Sequence, residues 1–125
     1  HFVLEDVTVP MAKLADLLKG IEGIAGKYDV QIATFGHAGD GNLHPQLLYD
    51  GYDPEHVKRV EAASADLFQL AIDLEGTLTG EHGIGMSKAP YMKLEHDPVA
   101  MDVMGGIKKM FDPNNILNPG KMALG

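Results

Sequence analysis

The stretch from residue 29 to residue 49 leaves this chain little choice of local structure. Val30, Ile32 and Thr34 alternate with other residues, and a second run from 42 to 49 puts Leu43 and Leu47 on one face and His44, Gln46 and Leu48 on the other. Alternation with a period of two is the pattern of a strand. Between the runs stands Ala38-Gly39-Asp40-Gly41, which reads as a turn, with glycines 39 and 41 supplying the positive φ a tight connection needs. The spacing therefore predicts two antiparallel strands, 29–36 and 42–49, with His37 and His44 at the two ends of their connection. Placed opposite each other, two such residues have Cβ atoms ~5 Å apart on one face, close enough for both imidazoles to ligate one ion. The plainer alternative is a hairpin whose histidines are merely polar residues near its tip.

The flanking segments extend the pattern. Residues 2–9 are β-branched and partly alternating and read as a strand, which Pro10 stops. Met11, Leu14, Leu18, Ile21 and Ala25 predict a helix over 11–27, although Gly20, Gly23 and Gly26 each weaken it by up to ~1 kcal/mol, so it needs tertiary packing. Asp53-Pro54 is a capping carboxylate followed by a first-turn proline, and Val57, Val60, Ser64, Leu67, Ala71 and Leu74 keep helical period behind it. A short extended piece, Thr77 to Thr79, follows. Asp97-Pro98 repeats the capping device ahead of Met101, Met104, Ile107 and Phe111, and methionines 101, 104 and 110 read as core filler. The tail from Asp112 to Lys121, with its prolines and asparagines, reads as irregular. The order β-α-β-β-α-β with a helical appendix indicates an α+β fold of ferredoxin-like type.

Composition excludes several classes of partner. The 125 residues suffice for one domain, and their net charge is −8 with a single arginine, Arg59. A nucleic-acid surface needs a basic stripe, and an anionic membrane surface asks for the same. No run approaches the ~20 apolar residues needed to span a bilayer. The chain has no cysteine, so it offers no disulfide, thiolate zinc site or iron–sulfur ligand, which fits a reducing compartment.

A second polar cluster, Thr79-Gly80-Glu81-His82-Gly83-Ile84-Gly85, joins the hairpin histidines. Together the two segments bring three histidines and a carboxylate into stretches otherwise glycine-rich and apolar. Neighbours in an extended segment point in different directions, so Glu81 can ligate while His82 serves another role. Two histidines and a glutamate suit zinc, manganese or ferrous iron. A capping or turn carboxylate is the simpler reading of Glu81. Asp40 belongs to an Asp-Gly turn dipeptide. The Gly36–Gly41 stretch leads into a strand, not a helix, so it is no dinucleotide-phosphate loop.

These residues resemble the C-terminal domain of FAD-linked oxidases and dehydrogenases of D-2-hydroxy acids, the family of the glycolate oxidase FAD subunit, D-lactate dehydrogenase and D-2-hydroxyglutarate dehydrogenase. The resemblance lies in Gly36-His37-Ala38-Gly39-Asp40-Gly41-Asn42-Leu43-His44-Pro45, in Gly80-Glu81-His82-Gly83-Ile84-Gly85 with Lys88 following, in Phe111 to Met122, and in Glu5-Asp6-Val7-Thr8-Val9-Pro10. It implies that residues 1–125 are a C-terminal substrate, or cap, domain fragment, with the FAD-binding domain absent from this chain. It implies a divalent metal, zinc, manganese or iron, on His37, His44 and Glu81, with His82 as catalytic base. It implies Gln46 and Lys88 at the substrate and Asn118 and Lys121 near the FAD. Where the hydroxyglutarate branch commonly has asparagine this chain has Gln46, and His44-Pro45 looks more like the glycolate and lactate branch. The partners implied are a small 2-hydroxy acid, the FAD-binding domain and an unidentified electron acceptor, with self-association of the isolated chain and a cytoplasmic location, peripheral to the membrane through that acceptor. Two competing readings stand beside this one: a stand-alone ferredoxin-like module that binds a metal or small acid without redox activity, and a metal-dependent hydrolase on the same three ligands.

Overall fold

The computed structural model describes residues 1–124, which divide into two units, residues 1–82 and 83–124. In the first unit the elements are β1 (Phe2–Leu4), β2 (Val7–Thr8), α1 (Leu14–Tyr28), β3 (Gln31–His37), β4 (Asn42–Leu48) and α2 (Pro54–Asp73). β4 is the centre of the sheet, with β1 and β2 antiparallel along one side and β3 antiparallel along the other. Thr77 forms an antiparallel bridge to Thr8, so the fourth strand of the expected β-α-β-β-α-β order is reduced to one bridge in its ferredoxin-like place.

The expected single strand over 2–9 is broken, and the partner strand explains why. Glu5 N–H donates to Pro45 O, but Pro45 has no N–H to return. The ladder lapses there and resumes in unchanged register, with Leu4 opposite Gln46 on one side and Val7 opposite Leu43 on the other. Asp6 therefore comes opposite His44, on the same face of the sheet.

The first helix also differs in detail from the sequence expectation. Met11–Lys13 is a 3-10 turn, and the α-helix begins only at Leu14. Its buried stripe is Leu17, Ile21 and Ile24, while Met11 and Leu18 are exposed. The helix carries two overlapping apolar stripes that share Ile21, and the one facing α2 and the sheet is buried. Asp29, in left-handed conformation (φ 51°), caps α1 and delays β3 to Gln31. α2 follows its sequence signals closely: Asp53 Oδ1 accepts the Glu55 N–H at 3.0 Å, Pro54 occupies the first turn, and Val60, Ser64, Leu67 and Ala71 are buried.

The helices cover one face of the sheet, where Leu43 and Leu47 are buried. The opposite face carries His44, Asn42 and Gln46, together with the exposed apolar residues Phe2, Leu4, Phe35 and Leu48. The alternation of residues 42–49 thus separates a packed face from a chemical one.

In the second unit a 3-10 turn, Ala89–Tyr91, leads into the one-turn α3 (Met92–Glu95) and then α4 (Pro98–Phe111), whose cap is Asp97 accepting the Ala100 N–H at 2.7 Å. No residue of α4 is buried, and Met110 is 75% exposed. The methionines at 101, 104 and 110 are therefore not core filler. Helical period identifies the apolar face of a helix but does not say what covers it. The irregular tail is pinned by Asp112, which accepts the N–H groups of Ile116 and Leu117, both at 2.9 Å, and pairs with Lys108. Among the described residues no helix is long and apolar enough to cross a membrane.

Candidate metal and proton-transfer site

The hairpin histidines do not stand opposite each other. His44 pairs with Phe35 and His37 with Asn42, which makes the histidines diagonal neighbours on one face. Residues 38–40 form a 3-10 turn, and Gly41 (φ 71°) is the turn glycine that needs the left-handed region; Gly39 does not adopt it. Diagonal neighbours sit farther apart than direct partners but remain within reach of long side chains. The two imidazoles lie 5.4 Å apart and nearly perpendicular, and each sends its Nε2 to the same oxygen, Glu81 Oε1, at 3.1 Å. His82 stacks on His44, with ring centres 4.7 Å apart and planes 4° apart, and its Nε2 lies 3.8 Å from that oxygen. His44 forms a buried floor with 5% of its side chain exposed, whereas Glu81 and His37 are about half exposed. Thr8, His37, Asp40, Asn42, Gly80 and Glu81 line an open cleft of about 200 Å³ beside the cluster.

Glu81 and His82 were expected to diverge as neighbours in an extended segment. They turn instead to the same cluster, because residues 79–82 curl around a single carboxylate. Asp6 Oδ2 accepts the Thr79 hydroxyl at 2.6 Å and the backbone N–H groups of Gly80, Glu81 and His82 at 2.8, 3.0 and 2.9 Å. Asp6 Oδ1 accepts Asn42 Nδ2 at 2.7 Å. Gly80 makes the approach possible, since a Cβ there would run into Asn42 Nδ2 and Thr8 Oγ1. Sequence reasoning placed Asp6 only inside a motif and gave it no role. Its one signal was an acidic residue within a β-branched run.

Burial alone would push the Asp6 carboxyl up, but the Thr79 hydroxyl, the Asn42 amide and the N–H groups of His82 and Glu81 outweigh it and hold it well below the usual carboxylate range. A depressed folded-state value contributes stability that is full above the ordinary value of about 4 and is lost as the pH falls below it. The melting temperature of the chain is accordingly expected to drop on acidification below about pH 4. Asp6→Asn should flatten that acid limb, and melts followed by circular dichroism across the acid range check both statements.

The donor set fits a divalent ion. The ligand atoms of His37, His44 and Glu81 all lie within 4.8 Å of one another, and two nitrogens with one oxygen match zinc, manganese or ferrous iron. On the far side of His44, Nδ1 faces Asp6 Oδ1 at 3.5 Å. Asp6, His44 and His82 also lie close enough to hold an ion. There, however, the Asp6 oxygens are committed to at least five donors that a metal would have to displace. The remaining sequence candidates lie outside the three-ligand group. Gln46 is half-buried two residues beyond His44 on the same face of β4. Lys88, Asn118 and Lys121 belong to the second unit: Lys88 is buried, Asn118 adopts φ 52°, and Lys121 donates weakly to Pro119 O at 3.5 Å. The glycine-rich turn runs from strand to strand, with no helix N-terminus behind it to receive a dinucleotide phosphate.

The antiparallel α+β module gathers two imidazoles and a carboxylate at a cleft, with a third imidazole stacked alongside. The family model for the C-terminal domain of FAD linked oxidases matches residues 2–122, and the chain belongs to that family. It is 52% identical over 120 residues to the glycolate oxidase subunit GlcD of Bacillus subtilis, covering 96% of this chain and 26% of that protein. It is 36% identical over 116 residues to the GlcD subunit of Escherichia coli K12, covering 93% of this chain and 23% of the relative. Identity to a D-lactate dehydrogenase of Anaerostipes hadrus is 40% over 118 residues, covering 94% of this chain and 25% of the relative. The chain thus spans about a quarter of the length of the curated relatives it matches.

Proposed function

We propose that this chain is the substrate- and metal-binding part of a flavin-dependent enzyme that oxidises a D-2-hydroxy acid, of glycolate or D-lactate type, to the 2-oxo acid. The observation that carries the reading is the convergence of His37 and His44 on Glu81 Oε1 with His82 stacked beside them. The names of the relatives supply the substrate class.

His37, His44 and Glu81 would hold a divalent ion, His44 being the most buried of the three. When bound, a divalent ion supplies Lewis acidity that lowers the pKa of a substrate hydroxyl. His82 takes the hydroxyl proton at Nε2, being partly exposed and next to the ligand oxygen. Gln46 lies on the same face and can donate its amide to a substrate carboxylate. The assignment of Lys88 to the substrate, and of Asn118 and Lys121 to the flavin, rests on the resemblance alone. The flavin supplies the electron sink when bound. It would be held mainly by the part of the protein outside this chain, with a separate electron acceptor as partner. The exposed apolar residues Phe2, Phe35, Met110 and Phe111 support burial against that other part, or self-association of the chain when alone.

The test is anaerobic mixing of the full-length flavoprotein with glycolate, D-lactate and other 2-hydroxy acids. Bleaching of the flavin absorbance by glycolate or D-lactate is expected. A metal-loaded flavoprotein that no 2-hydroxy acid reduces would sink the proposal. The 125-residue chain alone is expected to show no saturable binding when titrated with FAD and followed by fluorescence. A tight stoichiometric complex would contradict the division of labour between this chain and the rest of the protein.

A further inference from the structure

Asp6 touches neither the cleft nor solvent, yet three of the four cluster residues, His44, Glu81 and His82, face it or bond to it. Its Oδ2 gathers the Thr79 hydroxyl and three consecutive backbone N–H groups, including those of Glu81 and His82. Its Oδ1 holds Asn42, whose amide also donates to Val7 O and Thr8 Oγ1, so the segment 79–82 is fastened to β2 and β4 at once. The same Oδ1 faces His44 Nδ1, a buried nitrogen with no hydrogen-bond partner among the described residues. A carboxylate on that side favours the proton on Nδ1 and leaves the Nε2 lone pair for an ion.

We propose that Asp6 is the positioning residue of the site: its carboxylate sets the placement of Glu81 and His82 and the tautomer of His44, and so the strength and geometry of metal binding. The proposal rests on the metal reading given above. It separates Asp6 from two simpler roles. As a ligand, Asp6 would need an oxygen free of the donors gathered on it. As a loop anchor only, it would leave the imidazoles unaffected, but its Oδ1 lies on the far side of His44, and the backbone of the base itself is among its donors.

The test compares the wild-type full-length protein with Asp6→Asn and Thr79→Val. Asparagine keeps the shape but presents an amide N–H₂ where an oxygen accepted. Valine removes one donor and leaves the backbone in place. Cobalt(II) affinity is measured by chelator competition, the cobalt ligand-field spectrum is recorded, and the His44 tautomer is read from ¹⁵N shifts of histidine-labelled apoprotein. For folded Asp6→Asn, the expected result is cobalt binding weakened by about 10- to 100-fold, a changed spectrum and a loss of the Nδ1–H preference at His44. kcat should fall by more than KM rises, because His82 is displaced. A folded Asp6→Asn with wild-type cobalt affinity, spectrum and tautomer overturns the proposal. If Asp6→Asn does not fold, Thr79→Val decides: weakened cobalt binding with a changed spectrum supports the role, and wild-type values overturn it. A wild-type protein that binds no cobalt removes the metal reading instead, and the His44 tautomer then still decides whether Asp6 governs the imidazole.

Discussion

Replacing Glu81 by alanine in the full-length protein is expected to remove the metal and the activity together. Both hairpin imidazoles aim at one oxygen of this side chain, so its loss leaves two nitrogens with no anionic partner between them. The nearest buried carboxylate, Asp6, cannot substitute without giving up the donors that hold residues 79–82. Loss of a supporting outer-shell partner already costs about 10- to 100-fold in metal affinity or activity. Loss of a ligand should exceed that, leaving the purified variant substoichiometric in metal by mass spectrometry and unable to reduce its flavin with substrate. Flavin binding itself should be unchanged, which the absorbance spectrum checks. An alanine variant that keeps one tightly held ion and normal turnover would remove Glu81 from the ligand set.

The second large effect is expected at His82. Asparagine at this position should leave the metal bound and the flavin reducible by artificial donors, while slowing substrate oxidation by roughly 10²–10⁴-fold, the usual contribution of a positioned base. The slowing should appear in kcat as well as in kcat/KM, because the proton moves in the transition state and not on binding. The stacking of His82 on His44 makes this experiment discriminating. If the ring served only to brace His44, the variant would lose metal and recover near-normal turnover once metal was restored. The base would then lie elsewhere.

What could be read from the sequence was whatever depends on neighbours along the chain. The strand alternation of residues 42–49 and the two Asp-Pro caps are local signals, and each appears in the structure within a residue or two of its expected place. The three ligand candidates were also legible, because chemistry-bearing residues stand out among glycines. The arrangement that joins them was not. Asp6 meets its partners 36 to 76 residues away, at distances no local pattern reports. The break after Leu4 is caused by a proline in another strand. The diagonal relation of His37 and His44 follows from the 3-10 geometry of a three-residue turn, which composition alone does not distinguish from a direct pairing. The convergence of Glu81 and His82 reverses the extended-strand expectation for the same reason: a distant carboxylate curls the segment.

Crystals of the full-length protein loaded with manganese, with diffraction data collected above the metal absorption edge, place the ion directly. An anomalous difference peak bounded by Nε2 of His37, Nε2 of His44 and the carboxylate of Glu81, with Asp6 still receiving the N–H groups of residues 80–82, is the expected result. A peak on Asp6, or a peak elsewhere with the two hairpin imidazoles turned away from each other, would contradict the site.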